Sequence, residues 1–173
     1  MTYLNTHLPL FKDDANTVEK VISKIRYDTH ENVYILKNGE QVWRFRGETD
    51  RVTIDNIYLV NMIDASIIHN HPGGFSFSKE DVEAIIRYNA KELILVTQEY
   101  IYSITRPKNG WNINFDDPQI DVLYNTCQFL ARTALDKKAH ELLFNEREIK
   151  LIHYIWDIFF RELGISYVQK KHI

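Results

Sequence analysis

The sequence predicts an α/β domain: a mixed β-sheet flanked by helices, with a helical extension after it. Three observations carry that prediction. The hydrophobic period switches from helical spacing ahead of residue 28 to strand-like runs from residue 33 onward. An Asn38-Gly39 pair separates two of those runs, which is the strongest short hairpin signal a sequence offers. From Asp116 the spacing is helical again over two long segments.

In order along the chain, residues 1–12 form a mixed lead-in. Asp13 to Asp28 is a predicted helix, because Val18, Val21, Ile22 and Ile25 share one face, and Asp13 or Asp14 is placed to cap it. Val33 to Leu36 and Gln41 to Arg46 are strands joined by the Asn-Gly turn. Arg51 to Ile54 reads as a third short strand and Asn56 to Ile63 as a short helix. Ala65 to Ile68 is a buried strand that ends at two histidines. Ser78 to Tyr88 is an amphipathic helix with Val82, Ile85 and Ile86 inward, and Glu92 to Thr97 is apolar enough to be a central strand. Tyr100 to Thr105 and Trp111 to Phe115 read as a hairpin. Ile120 to Asp136 and Glu146 to Leu163 are helices, Gly164 stands where a C-terminal cap belongs, and Ile165 to Val168 returns as a strand. This divides the chain into residues 1–115, an α/β domain with an N-terminal helix, and residues 116–173, a helical extension.

The bulk numbers exclude several classes of function. The chain has 173 residues, with 45% hydrophobic and 26% charged, which is ordinary for a globular domain with a core. A net charge of -3 and charges that alternate in sign give no electrostatic case for nucleic acid. No apolar run approaches the roughly 18 residues of a membrane span, and no leader is visible, so a cytoplasmic protein is the expectation. The single cysteine, Cys127, can build neither an intrachain disulfide nor a thiolate zinc site. Any metal must sit on His and carboxylate ligands.

The most informative segment is His69-Asn70-His71-Pro72-Gly73-Gly74-Phe75-Ser76-Phe77-Ser78-Lys79-Glu80-Asp81. Residues i and i+2 of an extended chain point the same way, so His69 and His71 can reach one ion. Pro72 favours an extended His71, and the glycines then let the chain turn. Ser78 and Asp81 have the spacing of a capping box, and capping alone accounts for both. With His-x-His-Pro just upstream, Asp81 also reads as a third ligand. Two neutral imidazoles and a carboxylate are a catalytic Zn²⁺ set with a fourth position open. Such a site needs a base that takes a proton from water and returns it to the leaving group. Among Glu31, Glu40 and Glu48 the residues favour Glu31, which opens a strand, whereas the others stand in turns.

Glu31, His69-Asn70-His71-Pro72 and Ser78-x-x-Asp81 together resemble the signature of the JAMM (JAB/MPN+) metalloproteases, over roughly residues 28–115. The His-Asn-His-Pro-x-Gly string, Phe75-Ser76-Phe77-Ser78 and Arg106-Pro107…Gly110-Trp111 are similar to the RadC-like and phage or prokaryotic branches. The resemblance implies a JAB/MPN fold, a curved mixed sheet flanked by helices. It implies one Zn²⁺ per chain on His69, His71 and Asp81, with Glu31 as general base and Ser78 stabilising the oxyanion. It implies a protein or peptide substrate, a ubiquitin-like conjugate among the candidates. The loop between His71 and Ser78 is shorter than in the family's eukaryotic deubiquitinases.

Three other readings are weaker. Amidohydrolase and PHP barrels need more ligands and a longer chain. An HNH nuclease spreads its motif over a ββα unit and needs a basic surface. A non-catalytic assembly module of the same fold, phage-associated or not, is the alternative from another class, and such scaffolds usually lack one of the five site residues. His30 is read as an exposed turn residue, and His140 and His153 as helix packing. Cys127 is a buried small hydrophobe. The run Tyr154, Trp156, Phe159 and Phe160 is helix core, broad enough to leave room for self-association.

Overall fold

In the computed structural model, described for residues 6–137 and 144–172, Asn38 and Gly39 both adopt left-handed backbone, with φ of 54° and 78°. That is the requirement of a two-residue hairpin turn whose twist matches its strands. It joins β1 (Asn32–Lys37) to β2 (Glu40–Arg46). The remaining strands are β3 (Ser66–Asn70), β4 (Glu92–Val96), β5 (Tyr100–Thr105) and β6 (Tyr167–Lys171). They form a six-stranded sheet in the order β2-β1-β3-β4-β5-β6. Only β3 and β4 are parallel, and α3 (Lys79–Arg87) provides the crossover that a parallel pair needs. The fold is thus the mixed α/β sheet with flanking helices that the sequence predicts.

Strand alternation builds two apolar layers. Val33, Ile35, Ile67, Leu93 and Leu95 face one side, where α3 and the C-terminal helices α4 (Pro118–Asp136) and α5 (Phe144–Glu162) pack. Tyr34, Leu36, Ile68, Ile94 and Val96 face the other, covered by α1 (Val18–Ile25). Residues 116–173 supply Cys127, Ala131, Ile155, Trp156, Phe159 and Phe160 to the first layer, and β6 to the sheet edge. Each large apolar side chain buried there contributes about 1.5–3 kcal/mol. Among the described residues no helix is long and apolar enough to cross a membrane.

Three expectations are corrected. Thr17, not Asp13 or Asp14, caps α1, accepting from the Lys20 amide. Asp13 is instead drawn inward by Tyr34, Gln41 and Arg44. Arg51 to Ile54 is not a strand. Its backbone groups go to the lead-in and the preceding loop: the His7 amide donates to Thr53 O at 2.7 Å, and the Glu48 amide to Arg51 O at 2.8 Å. Trp111 to Phe115 does not pair with β5, which lies between β4 and β6. The Trp111 indole donates to Ala90 O, so this segment is held by a side chain and not by a ladder. Asn56 to Ile63 becomes α2 (Asn56–Leu59) and a 3₁₀ turn at Val60–Met62. His140 lies outside the described residues.

Candidate metal centre

His69 belongs to β3, two residues past Ile67, and therefore points into the layer that α3 covers. The His71 amide donates to Val96 O at 3.0 Å, which keeps the chain extended one step beyond the strand. Both imidazoles accordingly lie on one face, with ring centroids 4.7 Å apart. Ser78 caps α3: its Oγ accepts from the Asp81 amide at 3.1 Å, and its own amide donates to Asp81 Oδ2 at 2.8 Å. The capping box that the sequence predicts is present, and the same Oδ2 faces the imidazoles. It stands 3.5 Å from His71 Nε2 and 3.7 Å from His69 Nε2.

Glu31 arrives from the other side. β1 runs antiparallel to β3 with Val33 opposite His69, so the residue just ahead of β1 lies beside the end of β3. The Glu31 backbone is fixed by the Glu48 loop: its amide donates to Glu48 O, and its carbonyl accepts from the Gly47 amide. A Cβ at residue 47 would meet Arg51 O at 2.2 Å, so only glycine allows that loop to fold back. Glu31 Oε1 then lies 3.7 Å from His71 Nε2. All five candidate residues, Glu31, His69, His71, Ser78 and Asp81, are gathered at one place.

A buried Glu31–His69–His71 cluster can hold a metal ion, since each residue offers an atom within 4.8 Å of the others. Asp81 adjoins both imidazoles and competes with Glu31 for the third ligand position. Ligand atoms 2.0–2.2 Å from a tetrahedral cation stand about 3.4 Å apart, close to the 3.5–3.7 Å separations seen here. His69 is 3% exposed, and its Nε2 has no hydrogen-bond partner among the described residues. Leaving such an atom unpaired costs about 1–3 kcal/mol, and a cation accounts for it. His71 Nδ1 lies 3.2 Å from both Phe75 O and Ser76 O. Carbonyls only accept, so Nδ1 carries the proton and the Nε2 lone pair is turned to the centre.

The protonation states suit ligation. Burial pushes the His69 imidazole down to about 4, against a smaller upward pull from Asp81, so it is neutral at pH 7. Burial would raise the Asp81 carboxyl, but His69, His71 and the Ser78 hydrogen bonds outweigh it and hold it below the usual range. Burial pushes Glu31 up to about 7, opposed by His71 and reinforced by Asp81 and Asp50.

One contributor that motif reading passed over is Asn70, between the two histidines. Its side chain points to the opposite face and is 1% exposed. Oδ1 accepts from the Asn32 amide at 2.8 Å, and Nδ2 donates to His30 O at 2.9 Å. These bonds tie the chain on both sides of Glu31 to the end of β3. A lone amide inside an apolar strand was the available signal. The His30 ring turns outward to Arg46. A cleft of about 560 Å³ opens beyond the loop that follows His71, lined among others by Pro72, Gly73, Gly74, Tyr100 and His153.

No protein-family model, curated protein or solved structure matches this chain.

Proposed function

We propose that this protein is a zinc-dependent hydrolase of the JAMM type that cleaves peptide or isopeptide bonds. The observation that supports it most is the buried His69 Nε2, without a hydrogen-bond partner among the described residues and facing Asp81 beside His71 and Glu31. Zn²⁺ fits the borderline-soft set of two imidazoles and a carboxylate, and when bound it supplies Lewis acidity toward a carbonyl and toward water. His69 and His71 hold it through Nε2, and Asp81 through the oxygen that Ser78 already orients. Glu31 Oε1 takes a proton from the attacking water and returns it to the leaving amine. Before any cation is bound, its burial raises the carboxyl to about 7. The Ser78 hydroxyl accepts from the Asp81 backbone amide, so its own proton is free to donate to the oxyanion that forms during attack.

A non-catalytic assembly role is the alternative from another class. The convergence of all five side chains weighs against it, because a scaffold has no need of a buried base beside an unpaired imidazole. The experiment is turnover of peptide and ubiquitin-like conjugates by the reconstituted protein and by Glu31→Gln. The hydrolase reading predicts cleavage by the unaltered protein and loss of turnover with metal retained in the variant. Full biological function in Glu31→Gln would favour the assembly module.

A further inference from the structure

Between His71 and α3 the chain runs through Pro72-Gly73-Gly74, whose two glycines have no side chain to anchor the loop. Yet His71 depends on this loop, since its Nδ1 faces the carbonyls of Phe75 and Ser76 at 3.2 Å. Two groups from the C-terminal part of the chain hold the loop. The Trp156 indole of α5 donates to Phe77 O at 2.6 Å. The hydroxyl of Ser76, a residue 1% exposed, lies 2.9 Å from the Tyr167 hydroxyl of β6. Tyr167 OH in turn lies 2.9 Å from His153 Nδ1 of α5.

We infer that Tyr167, backed by His153, is a positioning residue of the metal centre, acting on His71 through Ser76. The inference rests on the metal reading above. Tyr167 is fixed from several sides: it pairs in register with Ile104, stacks on Tyr102 at 6.3 Å, and packs against Phe77 and Phe160. Its hydroxyl is therefore a rigid point, and Ser76 is pinned to it. Burial keeps the phenol protonated and the His153 imidazole neutral, so the Ser76–Tyr167–His153 chain needs no charge to hold. The Ser76 carbonyl that accepts from His71 is thereby located from outside its own loop. Groups that orient metal-binding imidazoles in this way typically change metal affinity about 10–100-fold when removed. The arrangement gives the C-terminal part of the chain, through Trp156, His153 and Tyr167, a part in the centre. His153 also lines the cleft, so the chain joins the cleft wall to His71.

Tyr167→Phe removes only the hydroxyl. The control is Tyr102→Phe, which keeps the ring packed against Phe77 but removes a buried hydroxyl from the same aromatic stack, one that accepts from Gln169 and makes no hydrogen bond to the loop among the described residues. Co²⁺ replaces Zn²⁺ as the probe, because its visible absorption reports ligand geometry. Full-length Tyr167→Phe is expected to bind Co²⁺ at least about tenfold more weakly, with an altered spectrum. Tyr102→Phe is expected to keep the affinity and spectrum of the unaltered protein. If Tyr167→Phe does not fold, Ser76→Ala is expected to show the same loss. Unchanged affinity and spectrum in a folded Tyr167→Phe, or in Ser76→Ala, would overturn the inference alone. Equal loss in Tyr102→Phe would reduce the effect to general packing and overturn it too. No Co²⁺ binding by the unaltered protein would overturn the metal reading and this inference with it.

Discussion

His71 Nε2 and Asp81 Oδ2 lie 3.5 Å apart, and the same Asp81 oxygen accepts a hydrogen bond from the Ser78 amide. One carboxylate thus closes the first turn of α3 and faces the two imidazoles of the candidate metal centre. The two roles separate by mutation. Asp81→Asn keeps an oxygen that can accept from Ser78 but removes the charge. It is expected to cost the metal-free fold about 1 kcal/mol, since the depressed carboxylate itself adds stability, while weakening metal binding at least tenfold. Urea denaturation of metal-free protein and a Zn²⁺ competition titration read the two effects separately.

Ser78 caps α3, and the proposed hydrolysis gives it a chemical role besides. Ser78→Ala removes the α3 cap, at a cost of about 1 kcal/mol. As an oxyanion donor its loss should also reduce kcat about a hundredfold with little change in KM. A drop in melting temperature with kcat intact would assign Ser78 to capping alone.

Asn70 is expected to matter as much as a ligand without being one. Asn70→Leu leaves the Asn32 amide and the His30 carbonyl without their partner, at about 3 kcal/mol in all. The chain around Glu31 is then released, and metal affinity falls with stability. Chemical denaturation with and without Zn²⁺ should show the metal's stabilising effect shrinking in this variant.

Asp13 sets a pH dependence far from the centre. Burial would raise its carboxyl, but hydrogen bonds from Gln41, the Ala15 amide, Lys24 and Tyr34 prevail and hold it well below the usual range. A depressed carboxylate stabilises the fold above its unfolded value, near 3.8 here, and that stability is lost as pH falls toward the folded value. Asp13→Asn should therefore cost about 2 kcal/mol at pH 7, and the gap from the unaltered protein should narrow below about pH 4. A constant gap from pH 7 to pH 3 would contradict the assignment.

The parts of this molecule legible in the sequence are those set by local spacing. The Asn38-Gly39 turn, α3 with its capping box and the apolar β4 all follow from short patterns. So does the same-side placement of His69 and His71. What needed the structure is non-local. Glu31 meets His71 only because β1 and β3 pair antiparallel in one register. Aromatic spacing in Trp111 to Phe115 imitates a strand, but the β5 edge is taken by β6, from the far end of the chain. Arg51 to Ile54 has strand-like residues whose hydrogen bonds go to His7 and Glu48. Ser76, His153 and Tyr167 belong to no spacing pattern, and three separate elements bring them together.

The most direct test of the central claim is the metal content of purified protein, before and after reconstitution with Zn²⁺, alongside His71→Ala. The account predicts about one Zn²⁺ per chain, lost in the variant while the fold persists. A folded protein that takes up no stoichiometric Zn²⁺ after reconstitution, or a His71→Ala variant that keeps it, would contradict the account.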